Sequence, residues 1–387
     1  MNSPLSRRSL LTASSGLLIL DSRTVRGSQA NSAISVGLVG CGRRGLFDAQ
    51  LFAKNEHAKI AAICDVYDDQ IANAGKQFAG ASRHKSYQEV LGLDLDAVII
   101  ATPPYLRPEQ FEAAVVSGKH IYMEKPLAVD PEGCRRVLAA AGKVDKAKRV
   151  SVGFQQRYGK DYRKAYSIVA SGQMGAIQMI RAAWMAGDLP LRKGHPPNEE
   201  KLRNWVWYRD TSGDIVVEQD CHNFDVANWF MGAHPVRVTG YGGRRLRTYG
   251  DNLDHLTVSF EYANGVHFSF GANQFSTRGY RDVGETFICE KGAMHTSRQG
   301  YRWFNKVVDE TPLDKGYRTP VPEEEPLEVH TNYDITEDAV NTFVDGVRTG
   351  TIENAVFSAV ETMYTAMMAR AAIYTRKEVA WDEIVRG

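Results

Sequence analysis

One short stretch near the start of the 387 residues restricts the fold more than any other. Ile34-Ser35-Val36-Gly37-Leu38-Val39 is an apolar run that reads as a strand, and Gly40-Cys41-Gly42-Arg43-Arg44-Gly45 follows it at once. Beyond it, Phe47, Leu51 and Phe52 recur at helical spacing. Strand, glycine turn and helix in that order is the setting in which G-x-G-x-x-G binds a dinucleotide. Glycine lets the backbone approach a pyrophosphate, and the first helical turn offers it free N–H groups. Alone the pattern is weak. It gains weight from a second strand, Ile60-Ala61-Ala62-Ile63-Cys64-Asp65, whose Asp65 lies 20 residues beyond Gly45, where a carboxylate holds the adenosine ribose. That charge would repel a 2′-phosphate and favours NAD over NADP. Arg43 and Arg44 could pair with such a phosphate, contact the pyrophosphate, or stand in solvent.

The strands that follow extend the same sheet. Residues 87–91 read as a short helix, and Ala97-Val98-Ile99-Ile100-Ala101 is apolar without alternation, as in a parallel strand buried on both faces. It ends in the donor-poor turn Thr102-Pro103-Pro104. A helix over 108–117, closed by Gly118, leads to a strand His120-Ile121-Tyr122-Met123, which delivers Glu124-Lys125-Pro126 to its carboxyl end. Ligands of open α/β sheets bind at that end. Residues 31–150 are therefore expected to form an α/β Rossmann dinucleotide-binding domain. Its candidate cofactor residues are Gly40, Gly42, Arg43, Arg44, Gly45, Asp65, Thr102, Pro103, Glu124 and Lys125.

From about residue 151 the periodicity drops toward two. Residues 177–184 and 256–262 alternate, and the latter run joins Val266-His267-Phe268-Ser269-Phe270 through Ala263-Asn264-Gly265, a strong hairpin signal. Residues 151–387 are expected to form an α+β domain around a large, mainly antiparallel open sheet, finished by helices over 336–350 and 353–374. Ala355, Val356, Ala359, Val360, Met363 and Met367 form an apolar stripe read as core. The acidic run Glu323-Glu324-Glu325 reads as a solvated loop.

Residues 214–232 read as one helix, capped by Asp214 and stopped by Gly232 and Pro235. On it Glu218, His222, Asp225 and Trp229 share a face that is costly to bury without purpose. A solvent-facing stripe with a Glu-His pair is the plain alternative. Zinc on Glu218 and His222 lacks a third ligand at recognisable spacing, so no metal is expected. The aromatic and ionic cluster Asn204-Trp205-Val206-Trp207-Tyr208-Arg209-Asp210 suits either a sugar-binding wall or a packed surface loop.

In order and spacing, Gly40-x-Gly42-x-x-Gly45, Asp65, Ala101-Thr102-Pro103-Pro104 and Glu124-Lys125-Pro126 resemble the glucose-fructose oxidoreductase, inositol dehydrogenase and MocA family. Gly153-Phe154-Gln155-Gln156-Arg157-Tyr158 and Gly172-Gln173-Met174-Gly175 extend the likeness into the second half. The resemblance implies catalysis by Lys125 and by His222 beside the substrate hydroxyl, with Glu218, where relatives commonly carry aspartate, orienting His222. It departs at Tyr105-Leu106-Arg107, where many relatives have a histidine. Arg157, Tyr158, Trp207, Arg209 and Asp225 are the candidate substrate contacts. The expected reaction moves a hydride between a sugar, glycoside or polyol hydroxyl and NAD, with His222 or Lys125 taking the proton and Lys125 polarising the carbonyl. An NAD-dependent glycosidase that oxidises, eliminates and re-reduces is the alternative; such hydrolases follow their histidine with Gly-x-Gly-Pro, and Asn223-Phe224-Asp225-Val226 argues against it. A non-catalytic NAD-binding protein ranks third.

Composition serves mainly to exclude. Hydrophobic content of 43% and charged content of 24% are ordinary globular values, and no apolar run reaches the roughly 18 residues of a membrane span. Ser6-Arg7-Arg8-Ser9-Leu10-Leu11 before a modest apolar segment resembles a twin-arginine export signal ending near residue 30. Without it the chain carries 43 basic and 45 acidic residues, a balance that attracts neither nucleic acid nor anionic membrane. Export of a folded protein to a compartment without free NAD implies that the cofactor is retained as a prosthetic group. Five scattered cysteines form no metal or redox motif. An open sheet face implies a homodimer or homotetramer.

Overall fold

The computed structural model describes residues 33–277, 279–305 and 327–386. The paired arginines Arg7 and Arg8 and the acidic run at 323–325 lie outside the described residues. Strands β1 (Ile34–Val39), β2 (Ala58–Cys64), β3 (Ser82–His84), β4 (Ala97–Ile100), β5 (His120–Met123) and β6 (Val150–Val152) form one sheet in the order β3-β2-β1-β4-β5-β6. Every neighbouring pair is parallel. The order reverses between β1 and β4, so the glycine turn after β1 and the Thr-Pro-Pro turn after β4 open one crevice together. The unalternating apolar sequence of β4 has its reason here: Val98 and Ile100 pack into one core while Ala97 and Ile99 pack into another.

The second of those cores is completed from the far end of the chain. Helix Thr336–Thr349 returns to the first sheet, and its Phe343 meets Phe52 and Tyr122 edge to face at 5.7 Å, while those two rings meet each other at 5.6 Å.

Nine strands make the other sheet: β7 (Ile177–Met185), β8 (Pro235–Gly243), β9 (His255–Tyr262), β10 (His267–Asn273), β11 (Asp282–Cys289), β12 (Gly292–Ser297), β13 (Gly300–Asn305), β14 (Leu327–His330) and β15 (Val379–Ala380). Only β7 and β10 pair in parallel, so the sheet is mainly antiparallel. The expected hairpin joins β9 to β10, with Gly265 at φ 83° in the left-handed region that its turn requires. Leu256, Val258, Phe260 and Tyr262 alternate inward from β9, and the last long helix, Val356–Thr375, buries Met363 and Met367 as core.

The single helix expected over 214–232 is instead two, Ile215–Glu218 and Cys221–Met231. The N–H of Asp220 reaches back five residues to the carbonyl of Ile215, and the N–H of His222 bonds Gln219 O rather than Glu218 O. The ladder slips at this point, as in a π-type bulge. The Glu218 carbonyl loses its helical partner, and the regular spacing of Glu218 and His222 along one face is lost with it.

Replacing Phe343 with alanine should open a cavity in the aromatic trio and lower stability by about 3–5 kcal/mol. Denaturant unfolding monitored by circular dichroism measures this, and a loss below about 1 kcal/mol would show that the C-terminal helix is dispensable to the first core.

Candidate active site

Three features of the crevice suit a dinucleotide. Gly40 stands at φ 97°, and a Cβ on Gly45 would lie 1.9 Å from the carbonyl oxygen of Gly40, so the tight turn and the helix that starts at Arg43 require glycine there. Gly42, in contrast, faces open space: only Arg192 Nη2, at 3.8 Å, would meet its Cβ. Asp65 closes β2 with its carboxylate accepting N–H bonds from Cys41 (2.8 Å) and Tyr67 (3.0 Å), which braces the turn beside the ribose position. A cavity of about 450 Å³ runs past Gly40, Asp65, Thr102 and Pro103, and a second of about 860 Å³ shares Gly42 and Ala101 with it and continues past Arg43 and Trp207 to Glu218. The residues present fit NAD.

Two of the charged cofactor candidates are held elsewhere. Arg44 turns inward and pairs with Glu124 (2.9 Å) and Asp48 (3.1 Å). Glu124 is buried, spends one oxygen on Arg44 and the other on the backbone N–H of Lys125, and fits only because residue 153 is glycine, whose Cβ would come within 2.4 Å of the carboxylate. Glu124 is not free to hold a cofactor, because its burial makes pairing obligatory, whereas Arg44 stays on the wall of the larger cavity with its charge paired.

Arg107 is a residue that sequence reasoning left without a role. Its guanidinium is buried and donates to the carbonyls of Glu124 (2.9 Å) and Pro126 (2.6 Å), on either side of Lys125. Burial lowers its pKa to about 10, against the pull of Glu124 and Glu218. A cation lodged under a helix start in an apolar sheet was the available signal.

The Lys125 ammonium reaches the second domain. It donates to Glu218 Oε1 at 3.0 Å and, more closely, to the Glu218 main-chain oxygen that the broken helix releases. Glu218 therefore holds Lys125 and does not orient His222, because the slip at Gln219 and Asp220 removes their i, i+4 relation. Within the slip, Asp220 is fully buried with neither carboxylate oxygen partnered among the described residues; burial first, then Asp214 and Glu218, push its pKa well up.

His222 is 4% exposed, stacked on Trp184 with centroids 5.8 Å apart and met edge-on by Phe154. Its Nε2 has a long contact, 3.5 Å, with Arg298 Nη2 from the β12–β13 turn. Burial, with help from the charges of Lys125, Arg298 and Arg44, holds its pKa well below the usual histidine value. Arg298 carried no local motif, and Trp184 and Phe154 stood in runs read for other reasons; the three meet His222 only through the fold.

The proposed substrate contacts separate. Trp207 lies along the larger cavity, its ring under the Arg247 guanidinium at 4.5 Å. Asp225 is buried in a bidentate pair with Arg157 (2.8 and 2.9 Å) and accepts from Thr362, so both charges are consumed as a strut. Tyr158 is buried against Glu353. Arg209 lies over the Tyr374 ring at 4.7 Å and faces another surface hollow with Asp130 and Arg370. These four are satisfied by internal partners away from Lys125.

Residues 34–154 match the family model described as "Oxidoreductase family, NAD-binding Rossmann fold", and residues 162–295 match the "GFO/IDH/MocA C-terminal domain". Inositol 2-dehydrogenase of Rhizobium meliloti is 26% identical over 293 residues, which is 74% of this chain and 81% of that protein. The apo scyllo-inositol dehydrogenase of Lactobacillus casei superposes with a TM-score of 0.70 at 21% identity, covering 90% of this chain and 98% of that one. A levoglucosan dehydrogenase in complex with NADH and levoglucosan reaches 0.75 at 17% identity, covering 90% and 99%. These structural likenesses establish the fold.

The depressed His222 pKa has a stability consequence. The folded ring stays neutral where the unfolded chain takes a proton near pH 6.5, so this contribution is full above that pH and is lost as pH falls through it. Between pH 7 and 5 the wild type should lose up to about 1.4 kcal/mol per pH unit relative to His222→Asn. Urea titrations at both pH values test this; a wild-type to variant difference that ignores pH would contradict it.

Proposed function

The chain belongs to the GFO/IDH/MocA family of oxidoreductases, and from that premise we propose that it oxidises a hydroxyl-bearing carbon of a sugar, glycoside or polyol, with NAD as the hydride acceptor. The observation that carries this reading is the joint between Lys125 and Glu218, which sets an ammonium behind the wall of the cavity that starts at the glycine turn. NAD, when bound, supplies the hydride acceptor, and the protein handles the proton and the developing carbonyl. Glu218 occupies two of the three ammonium donors of Lys125 through its carboxylate and its carbonyl, which leaves one N–H for a substrate oxygen. The Arg298 contact at Nε2 of His222 leaves the ring proton on Nδ1, so Nε2, held only at 3.5 Å, is the nitrogen that takes the hydroxyl proton once a substrate displaces that contact. Trp184 and Phe154 keep water from that ring.

Two further elements belong to this proposal. The paired arginines at the N-terminus support export by the twin-arginine route to the periplasm or an equivalent compartment, with NAD carried as a retained prosthetic group. The exposed side chains of Met179 and Ile288, register partners on β7 and β11, support a homo-oligomer built on the open face of the nine-stranded sheet.

Lys125→Ala should cut turnover about 100-fold or more while NADH still binds, as followed by nicotinamide fluorescence. Turnover within a few-fold of wild type would remove Lys125 from the reaction. Incubating the protein with a panel of sugars, polyols and aryl glycosides and following absorbance at the NADH band tests the reaction class: a keto product with NADH formed supports oxidation, and aglycone released without net NADH indicates the glycosidase cycle instead.

A further inference from the structure

Residues 186–214, between β7 and the helix that begins at Ile215, lie over the crevice of the first sheet. Two cationic side chains of this segment, Arg203 and Arg192, are among those that reach the nucleotide-binding half. Arg203 forms a bidentate pair with Asp69, Nη1 to Oδ2 at 2.7 Å and Nη2 to Oδ1 at 2.8 Å, with its guanidinium 3.9 Å from the centre of the Tyr67 ring and its Nε held by Glu199 at 2.6 Å. Tyr67 and Asp69 immediately follow Asp65, the residue placed at the adenosine ribose, so the crossing lands on the rim of that site. Leu202 and Trp205, on either side of Arg203, line the smaller cavity together with Asp65 and Thr102.

Arg192 crosses at the other end of the crevice. Its backbone is fixed by one buried side chain, Asn204, which accepts from Arg192 N at 2.9 Å and donates to Arg192 O at 3.1 Å. The guanidinium is thereby aimed at the glycine turn, 3.8 Å from where a Cβ on Gly42 would sit. Gln70, with its amide oriented to satisfy both neighbours, accepts from Arg192 Nη1 and donates to Cys41 O, each at 2.9 Å. No carboxylate among the described residues pairs with Arg192. An unpaired guanidinium held over free helix N–H groups is a ready partner for a diphosphate. Of the two sequence candidates for that contact, Arg43 and Arg44, the second has its charge paired with Glu124 and Asp48, and both line the same cavity.

We infer that residues 186–214 form a strap that closes over the dinucleotide, with Arg192 completing the pyrophosphate cradle from the second domain and the Arg203–Asp69–Tyr67 latch keeping the cofactor in place between turnovers. This inference rests on the reading of the crevice as an NAD site. It gives retention a structural basis in the mature chain: the dinucleotide leaves only after a bidentate ion pair and a cation–aromatic stack have opened.

The test uses the full-length protein and reads cofactor exchange rather than turnover. NADH-loaded wild type, Arg203→Ala and Asp69→Asn are mixed with excess NAD, and loss of nicotinamide fluorescence gives the release rate. Both variants should release NADH about tenfold faster or more, and the double variant should be no faster than either alone. In parallel, Arg192→Ala should weaken ADP-ribose about tenfold and leave adenosine unchanged, a split that loss of the fold would not produce. Wild-type release rates in the latch variants, together with unchanged ADP-ribose affinity in Arg192→Ala, would overturn the strap while leaving the NAD site intact. A wild type that binds neither NADH nor ADP-ribose would overturn the NAD reading itself, and the variants play no part in that outcome.

Discussion

The site depends on one carbonyl group. The slip in the hydrogen-bond ladder at Gln219 and Asp220 leaves the Glu218 oxygen without a helical donor, and the Lys125 ammonium takes that place. A buried lysine is costly unless its donors are met, and here the first sheet delivers the cation while the second domain supplies both acceptors. The delivery is fixed from behind. Arg107 holds the carbonyls on both sides of Lys125, and Glu124 accepts its backbone N–H. Lys125 is thus held at the main chain by the first domain and at its tip by the second, so the relative placement of the two sheets and the position of the reactive amine are one constraint.

Much of the first domain was legible because its rules are local. A parallel strand buried on both faces must be apolar throughout, a glycine turn must admit backbone contact, and the carboxyl ends of strands are where side chains meet ligands; β4, Gly45 and Lys125 each satisfy one of these. The hairpin at Asn264-Gly265 and the stripe of Met363 and Met367 were readable for the same reason. What escaped was pairing across long sequence separations. Asp225 and Arg157 look like a polar face and a loop cation until the fold brings them together; Arg44 and Glu124 lie 80 residues apart and cancel each other. Composition shows that such groups are expensive to bury, but it does not name their partners. The break at Gln219 was hidden for a related reason: no proline or glycine marks it, and it is stabilised by Lys125, far away in sequence.

The charged residues divide accordingly. Glu124, Arg107, Asp225 and Arg157 act as struts whose charges are neutralised by one another or by carbonyls. Lys125 keeps chemical capacity because its partners leave one donor free, and His222 because its basic Nε2 is held only by the long 3.5 Å contact with Arg298. Among the described residues the guanidinium of Arg192 meets the neutral amide of Gln70 and no carboxylate, so its charge is uncompensated.

The return of helix Thr336–Thr349 to the first sheet also bears on synthesis. Phe52 and Tyr122 are made early, but the ring that seals them, Phe343, follows Tyr122 by 221 residues. The apolar flank of the first sheet formed by Phe52 and Tyr122 is therefore sealed only after strands β7 to β14 of the second sheet have been made, so the first core cannot close as an independent early unit.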